Sequence, residues 1–325
     1  MKQPSWAQLF ARNTATMAQA LQPLRDKRKP PAGAGDWLSG VAMGAAGGRP
    51  YRLFRPAGVR FGERLPLVVM LHGCHQDAKS FAASTRMNAV ASRERFLVLY
   101  PEQSRLANAQ GCWNWFDTSS GRAHAEAASI LQAIDQVCML YAADRGRVAL
   151  AGMSAGASMA ALLATRYPAR FKAVAMHSGI PPGTANSSLS AVTAMRGHRQ
   201  TRQLKDAAEL ATATRWPPLL VIHGSGDGVV AVSNAQAAAQ QWAQAAGARE
   251  GLARELHRGN RHPMTVTDYK RSSREIVAKL IRVEGLGHAW SGGAANEHFS
   301  DLAGPDASRM VWRFAAGQFA ARTTG

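Results

Sequence analysis

The chain has 325 residues, 46% of them hydrophobic and 18% charged, a balance that excludes a disordered polymer and supplies a large buried core. Thirty-nine basic against 21 acidic residues give a formal charge of +18. The Lys and Arg are scattered without a block or a nucleic-acid motif, so a solvated basic surface is expected and no nucleic-acid partner. Three cysteines, Cys74, Cys112 and Cys138, are too few for a disulfide framework and carry no C-x-x-C.

Residues 1–36 read as a helical and linker segment. Trp6, Leu9, Phe10, Met17, Leu21 and Leu24 are spaced to line one helix face, which implies packing onto the domain, with a surface anchor as the alternative. No apolar h-region or small-residue cleavage pattern precedes them, so a conventional secretory leader is not visible. Residues 28–50, rich in Gly, Pro and Ala, predict a linker or a loose strand entry.

From residue 37 to 325 one domain of alternating strands and helices is expected. Tyr51–Arg55 suits an edge strand. Leu67–Leu71 and Phe96–Tyr100 are buried-strand runs, with a helix near Lys79–Arg93 between them. A loop at 102–122 holds the run CWNWF, and a helix covers roughly Ala123–Ala142, burying Cys138. Strands follow at Arg147–Ala151, Ala173–Met176 and Leu219–Ile222. Residues 181–216 break the alternation and predict a cap-like insertion. A helix at Ser233–Ala246, a hairpin of Thr265–Tyr269 with Glu275–Val283, and a helix near Asp306–Ala321 complete the chain. The class is α/β, a doubly wound, mostly parallel sheet.

The densest signal is at 147–167. A short apolar strand meets Gly152-Met153-Ser154-Ala155-Gly156, and a small-residue helical pattern begins at once. Strand, G-x-S-x-G, helix is the context of a nucleophile elbow: the Ser sits on a sharp strained turn, and Gly on both flanks lets neighbouring backbone pass. Two plainer readings compete. One is a tight turn with an inert Ser. The other is a transmembrane span, since Val148–Ala164 carries no formal charge, but that stretch is Gly-broken and poor in Leu and Ile.

A serine hydroxyl needs a base and an orienting acid. Asp227, in HGSGDGVV, follows the Leu219–Ile222 strand; its plain reading is an Asp-Gly turn. His288, in VEGLGHAW, follows the Ile281–Val283 strand; its plain reading is a loop histidine beside Trp290. The order Ser154, Asp227, His288 is the one this elbow uses. Rival acids are Asp206 and Asp268, and rival bases are His257, His262 and His298. His223 lies too near Asp227 in the chain to be an easy partner for it.

An oxyanion hole takes one N–H from the residue after the nucleophile, here Ala155, and one from the loop after an earlier strand. That loop is Leu71-His72-Gly73-Cys74-His75-Gln76, and the Cys74 amide is the expected donor, with Gly73 allowing close approach. A metal at His72 and His75 is the other reading of this loop; the absence of further ligands nearby argues against it, and no metal is expected. Trp113 and Trp115, with His72, Gly73 and Trp290, are candidate walls of a substrate pocket, with ordinary core packing as the alternative.

LHGCHQDA, YPEQ at Tyr100–Gln103, CWNWF at Cys112–Phe116, GMSAG, HGSGD and GLGHAW together resemble the esterase family named for poly(3-hydroxybutyrate) depolymerases, related to the feruloyl and acetylxylan esterases. The resemblance runs from about Trp37 to the C-terminus. It implies an α/β-hydrolase fold, a cofactor-free Ser-Asp-His mechanism at Ser154, Asp227 and His288, and short-chain ester or polyester substrates. It also implies an extracellular protein, whereas the missing leader implies a cytoplasmic one. Association with a polymer granule or an anionic surface would suit the basic charge. Cys74 and Cys112 lie in loops expected to meet, as a disulfide or as free thiols. A feruloyl- or acetylxylan-type esterase, a peptidase or lipase, and a non-catalytic binding protein on the same scaffold are the competing functions.

Overall fold

A computed structural model of the chain describes residues 32–44, 47–204, 215–273 and 275–320. The amphipathic pattern from Trp6 to Leu24, Asp206 and residues 205–214 of the 181–216 insertion lie outside the described residues.

Among these residues the strands are β1 (Gly35–Gly44), β2 (Gly47–Pro56), β3 (Leu65–Leu71), β4 (Leu97–Pro101), β5 (Ala143–Met153), β6 (Ala173–His177) and β7 (Leu219–Gly224). The short β8 (Arg249–Glu250) and β9 (Arg254–Leu256) precede β10 (Met264–Lys270) and β11 (Ile276–Val283), and β12 (Trp290–Ser291) and β13 (Ser300–Asp301) form a separate pair. The helices are α1 (Ala78–Thr85), α2 (Met87–Glu94), α3 (Arg122–Leu140), α4 (Ala155–Arg166), α5 (Ser188–Met195), α6 (Ser233–Ala245) and α7 (Ala307–Ala320).

β4, β3, β5, β6, β7 and β11 run parallel in that spatial order, with the β1–β2 hairpin on one flank and β10 on the other, both antiparallel to their neighbours. The pleat sends alternate residues of β3 to opposite faces. Leu67, Val69 and Leu71 pack with α3, α4 and α6, and Val68 and Met70 pack with α1, α2 and α7. The continuous apolar run LVVML is therefore buried on both sides, as a central parallel strand requires.

The chain steps from β3 outward to β4, then returns to the other flank of β3 as β5. That reversal opens a crevice beyond the carboxyl ends of β3 and β5, where open α/β sheets place their ligands. The His72–Gln76 loop leaves β3 there, and Ser154 leaves β5.

Two expectations need correction. Residues 35–44, part of the expected linker, form the true edge strand, paired in register from Gly35↔Pro56 to Gly44↔Gly47. The small residues are a packing requirement: a Cβ at Gly40 would lie 2.3 Å from the Tyr51 ring. The single helix at 79–93 is two, broken at Arg86, which adopts φ 55° and closes α1 as its left-handed C-cap. The insertion contributes α5 and buries Ala191, Ala194 and Leu204 in the larger core cluster, so its described part is integral to the core.

Candidate active site

Ser154 joins β5 to α4 with φ 55° and ψ −123°, a conformation that costs a non-glycine residue of order 1–3 kcal/mol. The flanking glycines make it possible. A Cβ on Gly152 would fall 2.4 Å from the Gly156 backbone, and one on Gly156 would fall 2.1 Å from the Leu71 carbonyl oxygen. Strand β3 thus passes against the elbow at a distance only glycine permits. The Ser154 N–H donates to His177 O at the end of β6 (2.9 Å), which holds the turn from the other side.

Asp227 follows β7 and His288 follows β11, so both stand at the same carboxyl edge as Ser154. His288 Nδ1 lies 2.8 Å from Asp227 Oδ2. The Asp227 side chain is fully buried and that of His288 is 10% exposed. Asp227 Oδ1 accepts from the Val229 and Val230 amides, each at 2.9 Å. Burial alone would raise this carboxyl, but hydrogen bonds from His223, His288 and the Val230 amide outweigh it and hold Asp227 well below the ordinary carboxylate range. Because the carboxylate accepts, Nδ1 of His288 carries the proton, and Nε2 is left to accept.

His223, set aside in the sequence as too near Asp227, does reach it. Residue 223 is buried near the end of β7, and the following turn folds back so that Nε2 lies 3.3 Å from Asp227 Oδ2 and 2.9 Å from Val230 O. Both neighbours are acceptors, so this N–H is shared between them. The spacing i, i+4 was the available signal; it becomes a contact because a turn, and not a strand, separates the two residues. The rivals are engaged elsewhere: Asp268 pairs with Arg254 of β9 and Lys279 of β11, and His262 faces Asp301 at 3.3 Å.

In the loop after β3, Gly73 N–H donates to Gln76 Oε1 (3.1 Å) and His75 N–H to Gln110 O (2.8 Å). The amide between them, Cys74, is the one with no acceptor among the described residues. Ala155 opens α4, so its N–H has no intrahelical acceptor either. Gly73 lies against the elbow; a Cβ there would be 3.5 Å from Ser154 Cβ.

The loop is braced from below. Cys74 and Cys112 form a disulfide that ties it to CWNWF. His72 is buried, its Nδ1–H donates to Gly73 O (2.8 Å), and its Nε2 accepts from the Gln103 amide (3.1 Å). Burial lowers its pKa to about 4, and both ring nitrogens serve backbone groups, which leaves none for a metal. Gln103 Nε2 donates to Glu126 Oε1 (2.7 Å), Arg49 Nη1 to Gln103 Oε1 (2.8 Å), and Asn114 N to Glu126 Oε2 (2.8 Å). Arg49 and Glu126 were missed in the sequence, where nothing distinguishes them from the other charges. Among the described residues no three His, Cys, Asp or Glu side chains gather to hold a metal ion.

The aromatic residues do other work than expected. Trp113 is fully buried, its indole N–H donating to His72 O (3.1 Å), and Arg49 lies over its ring. Trp290 is also fully buried, bonded through its indole to Ser308 Oγ and stacked on His177 at 4.9 Å. Neither presents a face to a substrate; both support the site from behind. His72 likewise sits beneath the loop. Trp115, 8% exposed, borders a small cleft with Ser158, Leu162 and Gly183.

A sequence model of the family described as Esterase PHB depolymerase matches residues 49–256. The chain belongs to this family. Within the family's wider kin, the chain is 35% identical over 183 residues to poly(3-hydroxyalkanoate) depolymerase C of Paucimonas lemoignei, covering 54% of this chain and 44% of that one. It is 28% identical over 194 residues to feruloyl esterase B of Neurospora crassa, covering 56% and 65%. The chain thus spans about half to two thirds of the length of such relatives. Among solved structures, the acetyl xylan esterase from Aspergillus awamori superposes with a TM-score of 0.65 at 19% identity, over 78% of this chain and 94% of that one, which shows a shared fold. The α/β-hydrolase architecture expected from the motifs is the one observed.

Proposed function

We propose that the protein is a serine esterase that cleaves carboxylic esters through an acyl-enzyme on Ser154. The observation that carries this reading is the strained Ser154 elbow at the same sheet edge as the buried Asp227–His288 pair. His288 Nε2 takes the Ser154 proton as Oγ attacks the ester carbonyl, and the tetrahedral oxyanion lies against the Cys74 and Ala155 amides. Collapse breaks the C–O bond, and His288 returns the proton to the leaving alcohol. Water then repeats the sequence on the acyl-enzyme, releasing a carboxylic acid. Asp227 stays ionised throughout, because its four hydrogen-bond donors favour the charged form. It stabilises the imidazolium, and His223 positions the carboxylate through Oδ2, the same oxygen that faces His288.

The substrate class proposed first is a short-chain or polyester-type ester, supported by family membership and by the depolymerase relative. A carbohydrate ester is the second reading, favoured by the relatives named feruloyl esterase B and acetylxylan esterase A. The basic surface, at +18 overall, would favour an anionic or granule-like partner. A panel of p-nitrophenyl acetate, butyrate and octanoate, methyl ferulate, acetylated xylan and amorphous polyhydroxybutyrate decides among them. Turnover of butyrate and polymer supports the first reading, and turnover of ferulate or acetylxylan alone supports the second. No ester turned over would leave the family standing and reject the activity.

A further inference from the structure

A basic concavity lies away from the catalytic residues. A cavity of about 440 Å³ opens between the chain leading into β10 and the start of α7, and none of Ser154, Asp227 and His288 lines it. Its volume is in the range of small-molecule sites. Five arginines line it, Arg86, Arg258, Arg261, Arg309 and Arg313, and Asp306 is the one carboxylate among the described lining residues. Two of the guanidiniums are fixed in place. Arg261 Nη1 donates to the Leu302 and Gly304 carbonyls at 2.8 and 2.6 Å, and Arg86 donates to the Gly292 carbonyl. Those acceptors are neutral, so both cations keep their full charge. Arg309 reaches Asp306 at 3.4 Å. Arg258 and Arg313 are exposed and have no acidic partner among the described residues.

Like charges gathered this way repel one another, and one carboxylate does not neutralise five guanidiniums. The guanidinium fork matches a carboxylate or phosphate head in a bidentate manner. The remaining lining is His262, which faces Asp301, and the apolar side chains of Met264, Met310, Leu256 and Pro305. A bare anion would leave that surface unused, and a neutral lipid would leave the arginines without counter-charge. We infer that this cavity is a second binding site, for an amphiphilic organic anion with a carboxylate or phosphate head and a short aliphatic tail.

The site is independent of the esterase reading, and its test reads binding alone. Full-length protein carrying Ser154→Ala, which removes turnover of any ester, is titrated calorimetrically with octanoate, octyl phosphate, octan-1-ol and inorganic phosphate. Octanoate or octyl phosphate is expected to bind, the better of the two naming the head group, with octan-1-ol and inorganic phosphate at least about tenfold weaker. Adding Arg258→Glu and Arg313→Glu is expected to weaken the amphiphile by about tenfold or more. In the Ser154 background the same two changes should leave the kcat/KM for neutral p-nitrophenyl acetate unaltered. The inference is overturned if none of the four ligands binds, if inorganic phosphate binds as well as the amphiphiles, or if the arginine changes leave binding intact. Both substituted side chains are exposed, and an unchanged melting temperature certifies the folded state.

Discussion

Two histidines behind the site should make the fold acid-labile well above the carboxylate range. His72 and His177 are both buried, and burial lowers their pKa values to about 4 and about 3 from an ordinary 6.5. Each uses a ring nitrogen as an acceptor for a backbone amide, Gln103 N–H on His72 and Ser291 N–H on His177, so a proton arriving there breaks a bond the fold needs. The sign follows from linkage. Below pH 6.5 the unfolded chain binds a proton at each imidazole and the folded chain does not, so stability falls as pH falls, until the folded pKa is reached. At pH 5 each histidine has lost about 2 kcal/mol relative to pH 7, or about 4 kcal/mol together. Glu102, whose carboxyl burial raises, acts in the opposite sense. Urea denaturation at pH 7, 6 and 5, at constant ionic strength, measures the sum. A midpoint that does not move between pH 7 and 5, or imidazole NMR shifts showing His177 protonated at pH 5, would rule out His72 and His177 as the source of acid lability.

Further outcomes follow from particular contacts. Gly156→Ala places a Cβ 2.1 Å from the Leu71 carbonyl oxygen and should destabilise by about 1–3 kcal/mol while sharply reducing ester turnover, checked by thermal melts and kcat together. His223→Phe removes the second imidazole from Asp227 and should lower kcat by about 10- to 100-fold with KM little changed, with a shifted acidic limb in the kcat–pH profile; His223→Gln, which keeps a donor, should restore part of it. Opening the Cys74–Cys112 bridge, which closes 38 residues, by Cys112→Ala and Cys74→Ala should cost about 4 kcal/mol by chain entropy, seen in denaturant midpoints with and without reductant. Trp290→Ala empties a fully buried site and should cost about 3–5 kcal/mol, so its effect is on the melting temperature and not on selectivity among folded-enzyme substrates.

What the sequence made legible was local. The elbow was readable because strand, G-x-S-x-G and helix are contiguous, and Asp227 and His288 because each follows a strand run and so had to stand at the sheet's carboxyl edge. The parallel core was readable from LVVML and FLVLY, since only strands covered on both faces are apolar throughout. The edge strand at 35–44 was not, because a segment whose Gly35, Gly40 and Gly44 lie close against Arg55, Tyr51 and Gln132 has the composition of a linker. Nor was the role of CWNWF: the run itself does not tell that Asn114 meets Glu126 or that Trp113 bonds to His72 O. Such partners lie 12 and 41 residues away, and only the folded chain selects them. His223 shows the same limit at short range, since a contact at i, i+4 depends on the turn between the residues.

Every catalytic role proposed for the site depends on Ser154 being the nucleophile. Incubating the native protein with a fluorophosphonate and mapping the adduct by mass spectrometry tests it directly. One phosphonyl group per chain is expected on the peptide bearing Ser154, with loss of all ester hydrolysis in step with labelling, and neither label nor turnover in Ser154→Ala. Undiminished hydrolysis by Ser154→Ala, or a stoichiometric adduct on any other residue, would contradict it.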